Sequence, residues 1–263
     1  MGRYLKLYGR FTAQYLKFMM QSKVNFFIGF FCFLTVQASG LAFLYLVFQH
    51  IPTLNGWSFY EILFIYGFAQ LPRGIDHLLT DYIWILGMRV IIKGEFDRYL
   101  LRPINPLFHL ISERFQPDAF GEIIVGIVIT AIATKKLGME ITFIKAILFI
   151  IFIIAGAIIY TSIKLFFASL AFWIKNSMPI MNLTYAMADF AKYPNQIYSK
   201  FVQAIITVII PFAFTAFIPA TYFTGDTSLT LALFGTVGAA IISFTVAYST
   251  WLRGIKIYES AGN

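Results

Sequence analysis

The chain of 263 residues has one cysteine, Cys32, and three histidines in separate regions, His50, His77 and His109. A single thiol excludes an internal disulfide and any zinc site built on Cys/His spacing. The scattered histidines form no catalytic triad or metal constellation, which argues against an enzyme. Charge is scarce as well: Asp, Glu, Lys and Arg make up 12% of the residues, against roughly a quarter in a soluble domain. Also missing is G-x-x-x-x-G-K-[ST], the loop whose backbone amides and lysine cradle nucleotide phosphates. If ATP drives this protein, another chain binds it.

What is abundant is hydrocarbon. Hydrophobic residues supply 59% of the chain, well above the soluble average of about half, and their runs leave no room for a soluble domain of ordinary size. The sequence predicts an all-α integral membrane protein, a single domain over residues 1–263. A spanning helix needs about 20 mostly apolar residues, and six candidate spans are present, at about 24–48, 59–85, 118–134, 142–173, 201–219 and 230–251. The formal charge of +8 does not indicate nucleic acid, because the basic residues flank the apolar runs, where Lys and Arg stay on the cytoplasmic side and attract anionic lipid headgroups.

In residues 1–23, Tyr4, Tyr8, Phe11, Tyr15 and Phe18 recur at helical spacing among Arg3, Lys6, Arg10 and Lys17, the pattern of an amphipathic helix lying on a membrane surface. The following run exceeds the roughly 7–15 residues of a signal-peptide core, so it reads as a retained first span. Lys and Arg are rich in 1–23, 86–117 and 174–200 and at Arg253 and Lys256, and absent from 49–58 and 220–229. Both termini are therefore expected in the cytoplasm, with Lys135 and Lys136 dissenting. Pro211 and Pro219 interrupt the fifth span, which predicts a broken or re-entrant outer segment around Pro211, Phe212 and Pro219.

Two polar groups stand out. The first is "GEFDRYLLRPINPLFHLISERF", residues 94–115, between the second and third spans. After Pro103, Leu107, Leu110 and Ile111 share one helical face, with Asn105, His109 and Glu113 across from it. This is either a solvated interfacial loop or a short helix that docks in a partner's groove. The second is "LPRGIDHLLTD" in the second span, with Arg73, Asp76, His77 and Asp81, joined by Lys164 in the fourth. Ionisable residues inside a membrane are either paired internally or functional, so these five are candidates for a transport path or for internal ion pairs. An ion-coupled transporter or channel built on them is the alternative reading of the whole chain.

"GEFDRYLLRPINPLF" resembles the coupling segment of membrane subunits of type-2 ABC exporters, in the branch with a G-x-F-D-R-Y-L-L-R-P motif. "YPNQIYSKFVQAIITVIIPFAFTAFIPATYFTG" resembles the fifth-span signature of the same family. Gly94, Asp97, Arg98, Leu100, Leu101, Arg102 and Pro103 match the first motif, and Pro194, Ile197, Tyr198, Pro211, Phe212 and Pro219 the second. The two motifs occur in the family's order on a frame covering nearly the whole chain. The resemblance implies a multi-pass permease of a bacterial plasma membrane that works in the export direction, paired with an identical or similar second permease; neither motif identifies the cargo, which is expected to be a lipophilic or amphipathic compound. It also implies that this segment docks on a cytoplasmic ABC ATPase dimer; the candidate coupling residues are Gly94, Glu95, Asp97, Arg98, Arg102 and Pro103, with Leu107, Leu110 and Ile111 added from the helical face. That partner, not this chain, would hold ATP and Mg²⁺ and carry out hydrolysis.

Overall fold

The computed structural model describes residues 2–19 and 23–259, and among them secondary structure is helical, with no strand. Met1 and residues 20–22 of the expected amino-terminal segment lie outside the described residues. Helix α1 (Gly2–Met19) is followed by α2 (Lys23–His50) and α3 (Phe59–Thr80), then by short α4 (Asp97–Leu100) and α5 (Pro106–Ser112). The long helices α6 (Phe120–Lys136) and α7 (Phe143–Ser169) come next, with α8 (Ala171–Ile174) and α9 (Met178–Ala188) after them. Short α10 (Lys200–Ala204) and α11 (Phe217–Thr224) precede the closing α12 (Leu229–Ile257).

Four stretches are helical, long and apolar enough to cross a membrane: Phe31–His50, Pro117–Lys136, Phe143–Ile174 and Leu229–Ile257. Their outward residues, among them Val36, Ile127, Ile150 and Ile241, are apolar and exposed, as a surface facing lipid requires. Helix α3 differs because it lies at the centre, packed on α6 and α7. Residues Ile62 to Pro72 are buried without interruption, the mark of a helix enclosed on all sides. Its close approach to α6 depends on glycine. A Cβ added at Gly67 would come within 2.8 Å of the Thr130 backbone nitrogen, and one at Gly126 within 3.0 Å of the Gly67 carbonyl oxygen.

Beyond Thr80 the chain continues from α3 through a 3-10 turn, Asp81–Ile83, and a π-helical turn, Leu86–Val90. The 94–115 segment sits on this extension, at the end of the bundle opposite the α2–α3 loop. A second buried cluster, with Phe96, Tyr99, Leu110 and Trp251 at its centre, fastens it there.

The stretch 201–219, expected as a fifth span, is not one helix. After α10 come a π-helical turn at Ile205–Ile209, an extended Ile210, the Pro211 break and a 3-10 turn at Phe212–Phe214, and then α11 with Pro219 as its third residue. Phe212 packs against Tyr160 of α7, while Phe217 returns to Trp57 in the α2–α3 loop. Residues 178–196 make the run from end to end instead. Ser177 N–H donates to the Gly87 carbonyl on the α3 extension at 3.0 Å, and the Gln196 carbonyl accepts from Asn55 Nδ2 in the α2–α3 loop at 3.2 Å. The expectation, from the lysines of 174–200, that this whole connection lies on the same side as 86–117 is thereby corrected. Hydropathy misses this run because Asp189 and Lys192 lower it, yet Asp189 pairs with both Lys192 and Arg73, which cuts the cost of placing charge there.

Candidate functional site

Two helices, α3 with its extension and α7, bring the five intramembrane candidates together. Periodicity places Arg73, Asp76, His77 and Asp81 along just over two turns of α3 and its extension, and α7 supplies Lys164 opposite them. Lys164 Nζ lies 2.7 Å from Asp76 Oδ2 and 3.0 Å from Asp81 Oδ1. Asp76 Oδ1 also accepts from the Thr80 and Thr161 hydroxyls at 2.6 and 2.8 Å. Arg73 does not pair within its own helix at i,i+3 or i,i+4; it reaches Asp189 after α9, with Nη1 at 2.7 Å from Oδ1. His77 turns to α6, with Nδ1 3.4 Å from Glu122 Oε1, and its Nε2 stands 3.9 Å from both Asp81 and Asp118. Sequence reasoning did not assign Asp189 or Glu122 to this cluster, and no motif could have done so, because their partners lie 116 and 45 positions away.

The cluster borders a cavity of about 550 Å³ that Trp84, Met88, Tyr160, Phe167 and Phe212 also line. Three of the five expected residues, Asp76, Asp81 and Lys164, thus form one internal ion triad, while Arg73 and His77 tie α3 to the α9 region and to α6. Phe212 reaches this cavity; Pro211 breaks the chain just before it and Pro219 lies in α11.

The 94–115 segment forms a second site. Gly94 takes φ +65°, a left-handed conformation suited to glycine, and turns the chain from the α3 extension into the loop. Glu95 pairs with Arg89 at 2.7 Å, and Arg98 with Glu113 at 3.0 Å. The Tyr99 hydroxyl donates to Glu113 as well. Asn105 caps α5 by accepting from the Leu107 and Phe108 amides at 2.9 and 3.1 Å. Asp97 opens α4.

Here the face assignment is corrected. Leu107 and Leu110 are buried and Ile111 half-buried against the bundle, so they anchor the segment and are not offered to a partner. His109 is buried too, contrary to its expected place on the polar face. Its ring packs on Tyr99 at 4.8 Å and Phe11 of α1 at 5.9 Å, and its Nε2 accepts from Arg102 at 3.0 Å. Burial and the adjacent Arg102 charge hold His109 below the usual histidine pKa. What faces outward is the turn between α4 and α5, with Leu100, Arg102 and Pro103 exposed and Leu101 84% exposed.

Residues 34–262 match the family described as "ABC-2 family transporter protein". No curated protein and no solved structure matches the chain significantly. With the match covering most of its length, the chain belongs to the ABC-2 transporter family: it is a membrane protein, a transport component with no catalytic role assigned to its family, of a kind that works with an ATPase partner.

Proposed function

From that membership we propose that the chain is the membrane subunit of an ATP-driven exporter, of the branch with the G-x-F-D-R-Y-L-L-R-P coupling motif. It forms the path for a lipophilic or amphipathic substrate with a second, identical or similar permease, and both termini face the cytoplasm of a bacterial cell. Residues 94–115 dock on a separate ATPase dimer that binds ATP and Mg²⁺. The observation that carries this reading is the outward turn Leu100–Pro103. An apolar side chain as exposed as Leu101, with an arginine and a proline beside it, projects from the end of the bundle on a base stiffened by the Arg89–Glu95 and Arg98–Glu113 pairs. A leucine held in that way gains nothing in the isolated chain and suits a partner's groove.

Mechanically, the turn sits on the extension of α3, and α3 is tied to α7 through Lys164, to α6 through His77 and to the α9 region through Arg73. A push on 94–115 therefore moves α3 with its three neighbours as a body, the kind of rigid element through which physical coupling travels. The ion-coupled alternative loses support from the same geometry, since Asp76 of α3 and Asp81 of its extension are both committed to Lys164.

The test is co-purification with the candidate ATPase in mild detergent. Leu101→Asp changes only an exposed side chain, so the variant is expected to insert and elute as the wild type does while losing ATPase co-elution and substrate-linked hydrolysis. Unchanged co-elution would remove the docking role of this turn.

A further inference from the structure

Lys164 is shared by Asp76 and Asp81, and Arg73 is held by Asp189. Glu122, in the first turn of α6 and 5% exposed, has no lysine or arginine within ion-pair distance among the described residues, although the Arg73 and Lys192 charges act on it from farther off. Its Oε1 meets only His77, and its Oε2 has no hydrogen-bond partner. The α6 N-terminus favours a negative charge at this position without supplying a donor to Oε2. A buried acceptor without a donor is costly, and Glu122 lines the 550 Å³ cavity.

The other walls restrict what could satisfy it. Among the ionisable groups lining the cavity, three carboxylates, Asp76, Asp81 and Glu122, face two cations, Arg73 and Lys164, beside His77. Asp118 adds a further carboxylate next to His77. An anionic ligand meets an excess of negative charge, and a neutral one forgoes the attraction. The remaining lining is mostly aromatic and thioether, with Trp84, Tyr160, Phe167, Tyr185, Phe212 and Met88, beside the polar Asn182 and Thr184. Such surfaces accept an apolar body and attract a cation to their ring faces. The volume is that of a site for a drug-sized molecule.

We propose that this cavity is the binding site for a lipophilic amine in its protonated form, with Glu122 Oε2 accepting an ammonium N–H and the aromatic lining packing the apolar body. The proposal rests on the permease reading and names its substrate class. His77 holds the Glu122 carboxylate through Oε1, and Oε2, itself shielded, is the oxygen left to turn toward the ligand.

The test uses the full chain in lipid nanodiscs, titrated calorimetrically with 4-phenylbutylamine, 4-phenylbutanol and 4-phenylbutyrate, with empty discs as the blank. The amine is expected to bind saturably, one per chain, and the alcohol and acid far more weakly. Glu122→Gln, which keeps the shape, should weaken amine binding roughly 10- to 100-fold, the range for losing one hydrogen bond to a charged group, and leave the alcohol unaffected. Should that variant fail to insert, carbodiimide labelling of wild-type Glu122 gives the same answer by mass spectrometry: the amine protects it and the alcohol does not. Equal binding of amine and alcohol, amine binding indifferent to Glu122→Gln, or labelling that the amine does not block would overturn the proposal. Amine binding that fails in a permease still co-eluting with its ATPase overturns the substrate class alone. Glu122-dependent binding in a permease that recruits no ATPase supports the site and removes the ATP-driven reading.

Discussion

At the scale of single residues, Lys164 and His109 illustrate opposite uses of a buried nitrogen. Lys164 neutralises two carboxylates, so Lys164→Met leaves buried Asp76 and half-buried Asp81 near each other without the ammonium they share. The loss expected for breaking a buried pair is about 3–5 kcal/mol, read as a lower thermal transition in detergent. Lys164→Met combined with Asp76→Leu, which removes one stranded charge, should recover part of it; a double variant no more stable than the single would show that the triad is not the source. His109 instead stays neutral, with Nε2 accepting from Arg102. The charged and titratable groups around it are Arg102, Arg98, Glu113 and Tyr99. Its folded pKa lies below that of the unfolded chain, so its contribution is fully present above about pH 6.5 and declines as pH falls from there toward the lowered value. The protection of residues 97–112 against hydrogen exchange, taken relative to the intrinsic chemical rate, which itself slows as pH falls, should drop between pH 7 and 5 in the wild type and much less in His109→Gln. Equal pH dependence in both would remove His109 as the sensitive group.

At the scale of elements, the contact of α3 with α6 depends on the absence of side chains at Gly67 and Gly126. Gly67→Ala directs a methyl group to within 2.8 Å of the Thr130 backbone nitrogen, where no flexible side-chain end can yield. A loss of about 1–3 kcal/mol is expected for such overpacking, against a small effect for Gly238→Ala in α12, where an added Cβ meets nothing within 4 Å. Equal melting of the two variants would refute the close-contact account. The elements legible in the sequence are those whose apolar residues face lipid or a single neighbour: the bounds expected for the third and fourth spans fall within a few residues of α6 and of α7 with α8. The 178–196 run was not legible. Hydropathy counts Asp189 and Lys192 as costs, whereas the fold offsets them with Arg73 from a helix over a hundred positions earlier. Helical periodicity found the apolar side of α5 in Leu107 and Leu110, but it could not say whether that side faces the bundle or a partner. It also misplaced His109, because α1 packs over the opposite side, with Tyr4 on Phe108 and Phe11 on His109.

At the scale of the whole molecule, the question is whether the turn at Leu101 and the cavity at Glu122 belong to one moving body. They are joined along α3 and its extension, and α9 begins on that extension: Ser177 donates its N–H to the Gly87 carbonyl, and a Cβ added at Gly87 would stand 3.6 Å from Ser177 Cβ. That separation falls in the disulfide range of about 3.5–4.5 Å. Since Cys32 is the only native thiol, Cys32→Ser with Gly87→Cys and Ser177→Cys makes a chain in which one cross-link can form. It should close on mild oxidation, seen as loss of free thiol by mass spectrometry. If the α3 extension and α9 travel together, as their hydrogen bond and the Arg73–Asp189 pair imply, the cross-linked permease keeps ATP-driven transport and reduction changes nothing. If α9 parts from α3 during the cycle, oxidation stops transport, reduction restores it, and the rigid-body account of coupling gives way to one in which the cavity opens between these two elements.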